Sequence, residues 1–312
     1  MIDSGLKKAI LKTLAYADVF DYPLLKKEIW RFLIKERKEG ELKTEEEGKG
    51  FSWELKELIK KSLCKEKKGF YFLPGREKII NLRKRRQKYS EKKIKIAEKI
   101  ALILRKIPWV KMVGVTGALA MKNAEKKDDI DLLIIAVKNR LWLTRFFTVL
   151  LVEFFSKRRR PEEKEIKDKI CLNMFLDEDH LSLPENERDL FSAHEVCQME
   201  PIWEKDNCYQ RFLKDNFWVQ EFLPNAKPKK MVKKKTDKRK EDFFLIFLSF
   251  FFCFFNFSFF EKIARWFQLW YMRHRKTKEI TETGRILFHP KDSRLWILED
   301  YKKRLKNLKI FF

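Results

Sequence analysis

Paired cysteines are missing from this chain. Its five cysteines, Cys64, Cys171, Cys197, Cys208 and Cys253, include no C-x-x-C pair. That argues against a disulfide framework or a thiolate zinc site and fits single thiols in a reducing compartment. His194 and Cys197 lie three apart, but no second ligand pair with metal-site spacing accompanies them. No cleavable signal peptide is expected, because Met1 to Ala17 is a Lys-dotted amphipathic stretch without an apolar h-region. Internal repeats are absent. Acidic residues are outnumbered: 46 Asp and Glu stand against 71 Lys and Arg, a net charge of +25. Such an excess favours polyanionic partners such as nucleic acid, nucleotides or an anionic membrane surface. Lys spread along the whole chain is also what an AT-rich coding sequence produces, and a solvated Lys face needs no partner. The 312 residues suffice for two modest domains, or for one with appendages.

The patterning predicts five regions. Residues 1–75 read as three short helices and a hairpin. Leu6, Ile10, Leu11 and Leu14 repeat at helical spacing, as do Leu25, Ile29, Trp30 and Leu33, and Leu55, Leu58, Ile59 and Leu63. Asp21-Tyr22-Pro23 breaks the first helix, and Gly40 to Gly50 reads as a charged loop. A Lys68-Gly69 turn before Phe70-Tyr71-Phe72 predicts the hairpin. In element order this resembles a winged helix-turn-helix. Residues 76–107 read as a long basic helix whose exposed face holds Arg83, Lys84, Arg85, Arg86, Lys88, Lys92 and Lys93. That face is either a solvated connector or a phosphate-contacting surface, so nucleic acid is a candidate partner of the basic N-terminal half.

Residues 108–225 alternate strands with helices. The strands are expected at Trp109 to Val115, Ile130 to Val137 and Ile170 to Leu176. The helices are expected at Ala118 to Ala124, Leu141 to Phe155, Glu187 to Met199 and Gln210 to Phe222. The fold class is therefore α/β (α+β), a small mixed sheet with flanking helices. Residues 226–242 form a Lys-rich linker, and 243–312 a helical C-terminal region with a basic tail. Phe243 to Phe260 is an apolar run interrupted by Ser249, Asn256 and Ser258. As a helix it would span roughly 27 Å, close to a bilayer core. It reads either as a membrane segment or as an interfacial or core helix. The chain is expected in the cytoplasm, attached to the cytoplasmic face of the membrane if this segment inserts.

The chemistry concentrates in Val113-Gly114-Val115-Thr116-Gly117-Ala118 and Asp128-Asp129-Ile130-Asp131. Asp129 and Asp131 are two apart on a strand and so share a face. Adjacent carboxylates repel unless a cation joins them, and oxygen donors suit Mg²⁺ bridging to phosphates. A strand ending in Thr116-Gly117 before a helix offers backbone N–H groups to a phosphate. Gly117 permits close approach, Thr116 supplies a hydroxyl, and Ala118 opens the helix.

A Gly turn opening a helix, followed a dozen residues later by Asp-x-Asp, resembles the DNA polymerase β-like nucleotidyltransferase superfamily. The resemblance covers roughly Val110 to Leu176. It implies a Mg²⁺-dependent enzyme that moves a nucleoside monophosphate from a nucleoside triphosphate to an unknown acceptor hydroxyl. Thr116, Gly117 and Ala118 would bind the nucleotide, and Asp129 and Asp131 would hold the metal. The family's Ser is replaced here by Ala118. Its third acid is expected on the Ile170 strand, where Asn173 stands on the face of Cys171, Phe175 and Asp177. Asp177 is then the catalytic candidate and Asn173 the alternative ligand position. Loss of the third acid would leave a degenerate nucleotide sensor or nucleic-acid-binding regulator.

Overall fold

The computed structural model describes residues 5–35, 45–160, 163–226, 257–273, 280–282, 284–287 and 293–310. These form a mixed α/β structure with helices flanking two sheets.

The N-terminal region runs α1 (Gly5–Asp18), β1 (Leu24–Leu25), α2 (Lys26–Arg31), α3 (Glu45–Lys60), β2 (Lys65–Lys67) and β3 (Phe70–Phe72). The three strands order β1-β3-β2, all antiparallel. Lys68 and Gly69 both take positive φ, at 56° and 79°, as a two-residue type I′ hairpin turn requires. The third helix starts earlier than its apolar spacing predicts, so Glu45 to Gly50 are helical rather than loop.

Helix α4 (Ile79–Leu104) is the long basic helix. Its cations are not all free, which corrects the expectation of one exposed face. Arg83 is buried, pairs with Glu28 at 2.8 Å and stacks over Tyr22 at 4.0 Å. Arg86 bonds Glu125 at 2.6 Å, and Lys93 is 1% exposed. Lys84, Arg85, Lys88 and Lys92 remain at the surface.

The second sheet has six strands in the order β7-β4-β5-β6-β9-β8. These are β4 (Val110–Val115), β5 (Ile130–Ala136), β6 (Ile170–Asp177), β7 (Glu200–Glu204), β8 (Ile280–Glu282) and β9 (Arg285–Leu287). Strands β5 and β6 are parallel and every other pairing is antiparallel. Strand β5 is apolar on both faces because both are covered. Ile130, Leu132, Ile134 and Ala136 join one core with residues of α4 and of α6 (Leu141–Phe155). Leu133 and Ile135 join the other with Ile10 and Leu14 of α1 and Val196 of α7 (Leu190–Gln198). The expected Gln210 to Phe222 helix is two shorter ones, α8 (Cys208–Asp215) and α9 (Val219–Phe222).

The C-terminal region is not simply helical. Strands β8 and β9 complete the central sheet, between α10 (Phe257–Met272) and α11 (Ser293–Asn307). Arg304 of α11 reaches Asp18 of α1 at 2.8 Å. Residues 243–256 of the Phe-rich run lie outside the described residues, as does the linker from residue 227. Among the described residues, no helix is long and apolar enough to cross a membrane.

Candidate functional site

Strands β4, β5 and β6 bring the sequence motifs to one end of the sheet. Strand β4 ends at Val115, and Thr116 turns the chain, its N–H donating to the Asp131 carbonyl at 3.1 Å. Gly117 adopts φ +60°, and a Cβ built there would lie 3.4 Å from Asp131 Oδ2. The glycine is thus favoured by its backbone conformation, and the carboxylate lies in contact distance beneath it. The helix that follows, α5 (Gly117–Ala120), is a single turn and stops short of Ala124. Ala118 is exposed, and Thr116 is buried without a side-chain cap bond. Replacing Gly117 by Ala is expected to cost about 1–2 kcal/mol from the positive φ, which a thermal melt reads.

The segment from Asn123 to Asp128 is clamped by Arg86, Ser90 and Lys93, spaced along one face of α4. Arg86 reaches Asn123 and Glu125, and Ser90 Oγ accepts the Ala124 N–H at 3.1 Å. Lys93 Nζ donates to the Asp128 carbonyl at 2.6 Å, to Asp168 at 2.7 Å and to the Lys126 carbonyl at 3.3 Å. Three donors meet three oxygens, which is how a buried ammonium is satisfied. Asp128 turns away from the site, its side chain accepting the Glu125 N–H at 2.7 Å.

Asp129 and Asp131 then emerge side by side. In the parallel pairing Asp131 stands opposite Cys171, and the side-chain ligand atoms of Asp129, Asp131 and Cys171 all lie within 4.8 Å of one another. The Asp131 carboxyl is pushed up to about 7, first by burial and next by the Asp129 charge; the Cys171 thiol and Arg159 counteract. Some of its surface reaches water, yet it lies under Gly117 in a crowded cleft. Cys171 donates its S–H to Asp131, and burial with two neighbouring carboxylates drives its pKa far above the thiol range. It therefore stays a thiol.

Asp177 does not join this cluster. The β5–β6 register shifts between Asp131/Cys171 and Leu133/Met174, so β6 carries one extra residue there. A one-residue bulge exchanges the faces of everything beyond it. Phe175 accordingly packs in the core under α4 and α6, and Met174 and Leu176 turn to the other face. Asp177 follows Phe175, opposite the site, and lies about 20 Å along the strand from Cys171. It is buried, bonded to His180 at 2.6 Å, and accepts the Asp179 N–H at 3.1 Å. Asn173 falls within the bulge and is half-buried.

Two charged groups complete the site that spacing alone did not reveal. Arg159 Nη1 lies 2.6 Å from Asp129 Oδ2. It is delivered by a short extended stretch in which Arg159 N–H and Ile170 N–H bond to Ile170 and Lys157 carbonyls at 2.8 Å. Glu195 of α7 accepts the Gly117 N–H, and burial pushes its pKa up to about 7. It is close enough for its charge to raise that of Asp131. The absent side chain at Gly114 allows this: a Cβ there would lie 2.7 Å from the sulfur of Met199, just beyond α7. Helix α7 is started by Asp189, which accepts the Ser192 N–H at 2.8 Å while Ser192 Oγ accepts its own. The arrangement therefore holds three carboxyl groups against one guanidinium. Comparison with protein-family models, with curated proteins and with solved structures returned no match.

Proposed function

We propose that the Asp129–Asp131 cluster binds a metal–nucleoside triphosphate and transfers its nucleoside monophosphate to an acceptor hydroxyl, as in the nucleotidyltransferase superfamily. The observation that carries this reading is the meeting of Asp129 and Asp131 on one strand end directly under the Gly117 turn. The donor set fits a Mg²⁺ ion. Two carboxylates supply hard oxygen ligands, and the surplus of acid over Arg159 is a deficit of positive charge that a divalent cation corrects. The thiol of Cys171 is no ligand for Mg²⁺. Bound there, the ion would neutralise triphosphate charge and polarise the reacting phosphoryl group.

The protein's own groups divide the remaining work. Asp129 and Asp131 would hold the ion. Arg159, half-exposed at the rim, turns its guanidinium to the phosphate oxygens once Asp129 is otherwise compensated. Glu195 takes the part of the missing third acid and accepts the acceptor's hydroxyl proton. The acceptor oxygen bonds to the α-phosphorus, the α–β phosphoanhydride bond breaks, and pyrophosphate leaves with the electron pair. The N-terminal element order and its β1-β3-β2 sheet support a winged-helix-like reading of residues 1–75.

Cys171 standing in register with Asp131 favours a second reading, a site that retains nucleotide without transferring it. Transfer by the native protein separates the two, and Glu195→Gln tests the proton acceptor. Under the first reading the variant keeps nucleotide binding and loses roughly 10²–10⁴-fold in transfer rate. Under the second, the native protein itself transfers nothing. A Glu195→Gln variant that transfers at the native rate would remove Glu195 from the chemistry.

A further inference from the structure

Beside the carboxylate cluster lies a partly open cavity of about 120 Å³, between the N-terminal helices and the Gly117–Glu195 wall of the site. Its lining is aromatic at Tyr16, Phe20, Tyr22 and Phe32 and small or polar at Gly117 and Glu195, with His194 stacked on Tyr16. The cavity therefore touches the proposed reaction centre directly, and the N-terminal region supplies half of its lining residues.

Its chemistry limits what it can hold. None of its described lining side chains is a Lys or Arg, so a phosphate or other anion finds no countercharge. Burial holds the two tyrosine phenols and His194 in their neutral forms. Glu195 is the one acid. His194 is 4% exposed, is stacked on Tyr16 at a 4.0 Å centroid distance, and bonds the Leu190 carbonyl through Nδ1 at 2.9 Å. With Nδ1 donating to Leu190, Nε2 of the neutral ring is an acceptor. His194 and Glu195, which also takes the Gly117 N–H, line the cavity together and can both accept from a ligand hydroxyl. The space is smaller than the ~150 Å³ apolar cavity that holds one benzene ring but is partly open, so it admits at most a single ring that reaches its mouth.

We infer that this cavity seats the acceptor, a small neutral molecule with a one-ring apolar body whose hydroxyl is directed to Glu195 and His194. The word acceptor rests on the nucleotidyl-transfer reading; the ligand class rests on the cavity alone. Under this assignment the reaction modifies a small alcohol or phenol, and the N-terminal region is a substrate wall.

The test is a titration of the full chain with 4-methylphenol, with benzenesulfonate as an anionic ring of similar size. Saturable binding of 4-methylphenol is expected, with at least about tenfold weaker binding of benzenesulfonate and a similar loss in Ala17→Leu, which fills the cavity, and in His194→Phe. Contacts from the probe to the methyl groups of Ala17 and Met121, read by NMR on the native chain, locate the ligand without any variant. No saturable binding, or a probe located elsewhere, overturns the inference. Nucleotide retention measured on the same samples separates the two readings. Probe in the cavity without nucleotide retention leaves the pocket standing and removes nucleotidyl transfer. Nucleotide retention without probe binding removes only the pocket.

Discussion

Asp131→Asn is expected to stabilise the ligand-free protein at pH 8 while abolishing its metal-dependent nucleotide binding. The folded chain holds the Asp131 carboxyl up at about 7, against an ordinary value of 3.8, because burial and the Asp129 charge disfavour its ionised form. Between roughly pH 4 and pH 7 the folded state therefore binds a proton that the unfolded state has released. Folding stability falls as pH rises through that window and stays lower above it. Asn cannot ionise, so the variant escapes the loss. The expected gain at pH 8 is roughly 2 kcal/mol, about half of what an isolated carboxyl moved this far would carry. That is a rise of about 4–8 °C in melting temperature, shrinking steadily toward pH 5. Differential scanning calorimetry of both proteins across this range tests it. A variant that melts lower than the native protein at pH 8 would mean that Asp131 is a structural hydrogen-bond acceptor rather than a strained ligand.

Lys93→Met should have the opposite effect on stability. The ammonium is fully enclosed and its three donors hold Asp128, Lys126 and Asp168. Met matches its length but leaves two main-chain carbonyls without that donor. Both carbonyls are partly buried, so at the lower end of ~1–3 kcal/mol for each unsatisfied group a loss of about 2 kcal/mol follows, some 4–8 °C of melting temperature. Nucleotide affinity should fall with it, because the clamped segment sets where Asp129 leaves the loop. An unchanged melting temperature would place Lys93 outside the clamp.

Much of the centre of the fold was legible because its signals are local. The apolar runs of β4, β5 and β6 and the helical spacing of α6 each declare themselves within a few residues. So does the pairing of Asp129 with Asp131 on one face. The turn at Gly117 was legible too, since its positive φ restricts the residue type. What escaped depends on contacts between distant segments. Strand β7 follows α7 directly and contains Pro201, which an edge strand tolerates but a pattern reading rejects. Strands β8 and β9 have three residues each and are identifiable only by their partners. The bulge between Cys171 and Met174 changes no residue type, yet it turns Asp177 to the wrong face and leaves Cys171 beside Asp131. Arg159 sat within a basic run indistinguishable from its neighbours. Glu195 sat on a helix whose docking depends on Met199 meeting Gly114. For the same reason the cations of α4 looked free: Glu28, Glu125 and Asp168 are 55, 39 and 75 residues away from their partners.

The most direct measurement incubates the purified chain with α-labelled nucleoside triphosphates, Mg²⁺ and a cell extract as acceptor source, with an Asp129→Ala/Asp131→Ala variant beside it. Label appearing on an acceptor with the native protein and not with the variant is the predicted result. No transfer and no nucleotide retention by the native protein would contradict it, and Asp129 and Asp131 would then be groups of the fold alone.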